Sequence, residues 1–156
     1  MERSLFGKRL IAGVLFWLVL FNCGSASRED DIIAAAKSFF SALNQQNYDR
    51  AYSRLSHKLV LSITPENFKI TAQGIEGVKV LKFEITQAYQ KLARLNLKAR
   101  VFLWHEGKLY DAVYQGKACL VKEKGSWKLD ECEMSPIQQA LADPKQVTKN
   151  IRFSAD

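Results

Sequence analysis

The stretch ACLVKEKGSWKLDECE, Ala118–Glu133, decides the fold. At its centre Gly125-Ser126 reads as a two-residue hairpin loop with glycine first, the requirement of a type II′ turn. Pairing outward from that turn sets Lys124 opposite Trp127, Lys122 opposite Leu129 and Cys119 opposite Cys132. Pairs in an antiparallel ladder alternate, and in this register the two cysteines form a non-hydrogen-bonded pair, with Cα atoms ~4.5 Å apart. That lies at the near end of the ~4.4–6.8 Å a disulfide accepts. A Cys119–Cys132 disulfide is therefore expected, with two buried free thiols as the alternative. Two sulfurs on one hairpin, with His57 and His105 far off in sequence, do not make a four-ligand metal set.

Strands precede this hairpin. Leu95, Leu97, Ala99, Val101 and Leu103 alternate with Arg94, Asn96, Lys98, Arg100, Phe102 and Trp104, a long two-faced strand. His105-Glu106-Gly107 reads as a three-residue hairpin loop leading into the next long strand, and Gly116 inside that strand suggests a bulge. An earlier strand is predicted from Val78 to Tyr89. Before Gly77 the period is helical. Ile32, Ile33, Ala36, Phe39, Phe40 and Leu43 share one side of a first helix starting near Asp30 or Asp31. Tyr48 to Leu59 makes a second, and Thr64-Pro65 caps a short third over 65–73. Residues 134–146 suggest one more helical turn, and residues 144–156 read as frayed. The predicted fold class is α+β, with N-terminal helices packed on a strongly curved four-stranded antiparallel sheet.

The chain opens with Glu2, Arg3, Lys8 and Arg9, followed by twelve uncharged residues, Leu10–Phe21. A basic segment before an apolar run of ~7–15 residues is the pattern of a secretory signal peptide, and a spanning helix wants ~20. The run ends in L-F-N-C, which resembles the lipobox of bacterial lipoproteins. Leu20 matches that pattern, while Phe21 and Asn22 are larger than the residues usual there. The resemblance implies that Cys23 is acylated and becomes the first mature residue. Cleavage after Ala26 or Ser27, or an uncleaved anchor, are the alternatives. The expected organisation is a signal peptide over 1–22, a tether over 23–30, one domain over 31–134 and a partly disordered extension over 135–156. Localisation is then the bacterial cell envelope, on the periplasmic side or cell surface.

Removing residues 1–22, with three basic residues and one acid, takes the formal net charge from +7 to +5. The remaining basic residues are scattered, a solvated surface and not a nucleic-acid-binding arm. No nucleic-acid partner is expected.

Phe39-Phe40 on the long helix, then N-Y-D-x-A-Y-x-x-L-S from Asn47 to Ser56, T-P-E, and long strands ending G-S-W-K-L-D carry a family resemblance. The chain is similar to the nuclear-transport-factor-two-like superfamily, the cystatin-like cone. More narrowly it resembles small exported bacterial lipoproteins of that fold whose function is unknown. The resemblance implies a sheet wrapped on the long helix, often around a pocket, and often a homodimer through the outer sheet face. Tyr52 and Trp127 are the candidate pocket residues. Arg100, Phe102 and Trp104 are the candidate interface, with cover by the C-terminal tail as the alternative.

The superfamily's isomerases and dehydratases cannot be matched residue by residue. Asp49 reads as a helix-start residue, His57 lies near a helix end and His105 in a hairpin loop, and Asp111 can face Arg100 as a surface pair. No base, nucleophile and orienting group converge by spacing, and no phosphate loop or metal cluster is visible. The expected function is a lipid-anchored, non-catalytic binding module with no cofactor. The alternative is a small-molecule enzyme of isomerase or dehydratase type with a pocket in the cone.

Overall fold

Short polar side chains punctuate the first half of the chain. Asn47, Ser56 and Thr64 each accept a backbone N–H three residues on, from Arg50, Leu59 and Asn67, and so start three helices. The computed structural model describes residues 26–105, 107–137 and 150–155. Helix α1 spans Ala26–Asn44, α2 Tyr48–Tyr52, α3 His57–Ser62 and α4 Pro65–Ala72. Strands β1 (Ile75–Ala88), β2 (Leu92–His105), β3 (Lys108–Glu123), β4 (Ser126–Pro136) and β5 (Ile151–Phe153) follow. They form one antiparallel sheet in the order β1-β2-β3-β4-β5.

The α+β class and the curved sheet under N-terminal helices stand, with five strands instead of four. The fifth lies in the stretch expected to fray. Ile151 and Phe153 are buried on either side of exposed Arg152. Phe153 packs edge-on against Phe39, with ring centroids 5.7 Å apart, and lies 5.4 Å from Phe68. Burial of that ring offsets the ordering cost of the C-terminus. Helix α1 starts at Ala26, so most of the expected tether is helical. The signal peptide, Cys23 and most of the helical turn expected over 134–146 lie outside the described residues; Met134 to Pro136 belong to β4.

The expected helix from Tyr48 to Leu59 is two. Arg54 to Ser56 leave helical geometry to join β4: the Leu129 N–H donates to Arg54 O at 2.9 Å, and the Ser56 N–H donates to Leu129 O at 2.7 Å. Edge strand β1 carries register shifts at Ile75/Gly77, Val80/Lys82 and Ile85/Gln87. The β3–β4 turn sits one residue earlier than expected. Glu123 pairs Ser126, and Lys124 (φ +47°) and Gly125 (φ +85°) both take left-handed backbone. Two positive φ values make a type I′ turn, whose twist matches the strands.

A second displacement follows. The ladder passes from Leu120–Leu129 to Cys119–Glu131, leaving Asp130 as an extra residue in a bulge. Before the bulge β4 buries Trp127 and Leu129; after it, Cys132 and Met134. Cys132 therefore faces Ala118, not Cys119. Gly116 does not form the expected bulge. It pairs Leu97 and Met134, and a Cβ there would stand 1.9 Å from Glu133 O.

Candidate functional site

The interior is the first place to look for a site, and aromatic rings occupy it. Phe39 meets Phe40 at 5.3 Å, Phe68 at 6.4 Å and Phe153 at 5.7 Å, and Phe40 meets Phe83 at 6.0 Å. Tyr114, fully buried on β3, adds its ring. Desolvation there pushes its phenol up to about 12, so it stays protonated at neutral pH.

Neither candidate pocket residue lines the hollows described among these residues. Tyr52 stacks edge-on to Phe68 at 5.6 Å. Its hydroxyl donates to Ile63 O at 2.8 Å and reaches Val60 O at 3.3 Å, tying α2 to the end of α3. Trp127 is buried against the core with Lys122 Nζ 5.8 Å from its ring centroid. Its indole N–H finds no acceptor among the described residues.

The Cys119–Cys132 disulfide is not formed; both cysteines are free thiols. The bulge is the reason: neighbouring residues of a strand point to opposite faces, so the partner of Ala118 cannot reach Cys119. Cys132 is buried inside, and Cys119 is half-buried on the outer face. Burial pushes the Cys132 thiol up to about 12. Burial, with help from Asp130, also raises that of Cys119. Neither is an activated nucleophile.

The outer sheet face holds the candidate interface. Trp104 is 53% exposed beside Leu109, its pairing partner across the hairpin. Phe102 is half-buried, and the Arg100 guanidinium sits 5.7 Å from its ring centroid. Arg100 also holds Asp111 through two hydrogen bonds, Nε to Oδ1 at 2.6 Å and a second from the terminal nitrogen to Oδ2. That bond keeps the Asp111 carboxyl below its usual range. The pair is open to water, so it adds little stability. Further along the same face two adjoining hollows of about 440 and 510 Å³ share Asn96 and Lys117. Lys82, Lys98 and Arg94 line their β1–β2 side, and Glu131 and Glu133 the β4 side.

His57 and Asp111 are far apart in the fold, on α3 and β3, and His105 closes the β2–β3 hairpin opposite Lys108. A polar cluster that sequence reasoning missed surrounds the start of α3. Buried Ser56 donates to Asp130 Oδ1 at 2.6 Å while accepting the Leu59 N–H at 3.1 Å. The Glu123 carboxylate accepts the His57 N–H at 3.1 Å. Only the bulge and the chain crossing at Leu129 bring these groups together. With its hydroxyl buried and engaged on both sides, Ser56 caps the helix and is closed to substrate.

No family model matches the chain, and no curated protein does. Solved structures do. One is a proposed dehydratase of the NTF2-like family from Streptomyces avermitilis (TM-score 0.58, 10% identity, 72% of this chain and 98% of that one). Another is an uncharacterized protein with a cystatin-like fold from Caulobacter vibrioides (TM-score 0.58, 11% identity, 76% and 92%). A third is an NTF2-like protein with a cystatin-like fold from Novosphingobium aromaticivorans (TM-score 0.51, 8% identity, 79% and 87%). At such identities the likeness shows the fold alone: this chain has the NTF2-like, cystatin-like fold.

Proposed function

We propose that the chain is a non-catalytic binding or interaction module of the bacterial cell envelope, exported and held at the membrane by lipid on Cys23. The observation that carries this reading is the filled interior. The space between helices and sheet is taken by Phe39, Phe40, Phe68, Tyr114 and Phe153, all at most 2% exposed. The outer-face hollows lie on the opposite side of the sheet from these rings. A small-molecule site is usually concave and apolar with a few convergent polar groups, and these packed rings fill the space between helices and sheet where such a site would sit in the cone. The second reading is a small-molecule enzyme of isomerase or dehydratase type; its support is the likeness to the Streptomyces protein.

The test uses the mature protein isolated from membranes. Mass spectrometry should find a chain that starts at Cys23 and carries lipid, and small aromatic or steroid-like ligands should leave its melting temperature unchanged. An unlipidated N-terminus at Ser27 or Arg28 would sink the anchor. A ligand that raises the melting point, with the shift lost on enlarging Ala112 or Ala118 to leucine, would favour the enzyme reading.

Its partners under this reading are the membrane and a second copy through the outer sheet face, with no nucleic acid. An exposed tryptophan and leucine beside a half-buried phenylalanine suit such an interface. Trp104→Lys should then convert a dimer to a folded monomer in sedimentation. A wild type that is monomeric at high concentration refutes the dimer.

A further inference from the structure

One end of the domain gathers lysines and bare apolar side chains from three separate elements. In an antiparallel meander the β1–β2 and β3–β4 turns fall at the same end, and here they touch: the Lys122 N–H donates to Lys91 O at 2.9 Å. Helix α3 joins them through the Glu123 carboxylate on the His57 N–H, at 3.1 Å. Each element presents exposed lysine: Lys91 from the first turn, Lys122 and Lys124 from the second, Lys58 from α3. Beside them Tyr89 is 57% exposed and Leu61 75%. Two nearby acids are committed internally, Glu123 to α3 and Asp130 to the Ser56 hydroxyl, while Glu131 stands exposed on the outer sheet face.

Helix α1 points the same way. Phe40 meets Phe83, and Asn44 Oδ1 accepts the Val78 N–H at 3.1 Å, so the helix runs opposite to β1. Its N-terminus is directed toward the end where β1 turns into β2. Cys23 precedes Ala26, the first described residue of α1, by three positions, a reach of at most about 11 Å.

We propose that this end is a contact surface for anionic phospholipid headgroups, used alongside the acyl chain. The chemistry is that of interfacial binding. Lysines pair with the negative surface, and exposed aromatic and aliphatic side chains enter the headgroup layer. Glu29, Asp30 and Asp31 stand exposed near the start of α1 and oppose the contact, so the lysines of the turns and α3 supply the attraction. The geometry rests on the Cys23 anchor reading.

The mature lipidated protein is reconstituted into vesicles with and without phosphatidylglycerol and treated with a membrane-impermeant amine-acylating reagent. Mass spectrometry then reads labelling lysine by lysine. Lys58, Lys91, Lys122 and Lys124 should be labelled at least about threefold less in anionic than in neutral vesicles. Lys98 and Lys108, on the sheet face and at the opposite end, should not change. High salt should remove the protection. The variant Lys122→Glu/Lys124→Glu, with its circular dichroism unchanged, should restore labelling of Lys58 and Lys91. Equal labelling of the two sets in anionic vesicles overturns the proposal. If Cys23 proves unlipidated, the anchor reading fails by itself and the surface is tested by sedimentation. The wild type should then pellet with phosphatidylglycerol vesicles and the double variant should not; a wild type left in the supernatant overturns the proposal too.

Discussion

Replacing Phe153 by alanine should cost about 3–5 kcal/mol of folding stability, a large share of the ~5–15 kcal/mol a domain possesses. The ring is 1% exposed and touches both Phe39 and Phe68, which also touch each other. Deleting it removes one corner of a three-ring cluster, and with it the apolar reason for β5 to stay on β4. Among the described residues β5 pairs only with Cys132, Glu133 and Met134, too short a ladder to persist without its anchor. Denaturant unfolding should show the loss as a lower midpoint. Lys98→Ala, on the exposed outer face, should shift stability by about 0.5 kcal/mol or less. A Phe153→Ala protein that unfolds at the wild-type midpoint would mean that the C-terminal strand contributes nothing to the fold.

Gly116→Ala should be of comparable severity, about 3 kcal/mol or more, for the opposite reason. A Cβ at this position would lie 1.9 Å from Glu133 O and 2.7 Å from Met134 Cα, and both are backbone atoms. No rotamer change relieves such an overlap, so β3 and β4 must part, which exceeds the usual ~1–3 kcal/mol of overpacking. Gly125→Ala separates close approach from backbone conformation. Nothing lies within 4 Å of a Cβ there, but φ is +85°, so only the ~1 kcal/mol penalty of left-handed backbone applies. Thermal or denaturant unfolding of the two variants should rank Gly116→Ala far below Gly125→Ala. Equal small losses would show that the strands have room to move apart.

The helix starts at Asn47 and Thr64 were legible because they are local. Each needs only the three residues that follow, and Pro65 fixes the first turn of α4. Strand alternation in β2 was equally plain. The cysteine pairing failed because register accumulates along a ladder: a turn displaced by one residue and a bulge at Asp130 moved Cys132 from Cys119 to Ala118. A signal was present all the same. Trp127 and Leu129 are two apart, as are Cys132 and Met134, but Leu129 and Cys132 are three apart, a change of phase that a regular strand cannot accommodate without a bulge. The split of the second helix and the Ser56–Asp130 bond depend on a chain crossing 74 residues distant in sequence, to which no local pattern refers. β5 is three residues long, below the length at which alternation can be recognised. Whether a cone is hollow or full depends on how side-chain volumes fit, and periodicity carries no information about volume.

The three register shifts along β1 have a consequence for life in a crowd. A fourteen-residue border strand with one side unbonded to any described strand is a template onto which another chain can zip. Breaks at Ile75/Gly77, Val80/Lys82 and Ile85/Gln87 leave no uninterrupted stretch longer than Lys82–Ile85. Exposed Lys79 and Lys82 add charge that an incoming strand would have to desolvate. Molecules confined to a two-dimensional surface collide far more often than the same number in solution. Under the proposed membrane anchor, a border interrupted in this way lets such a population stay dispersed where a smooth one would polymerise.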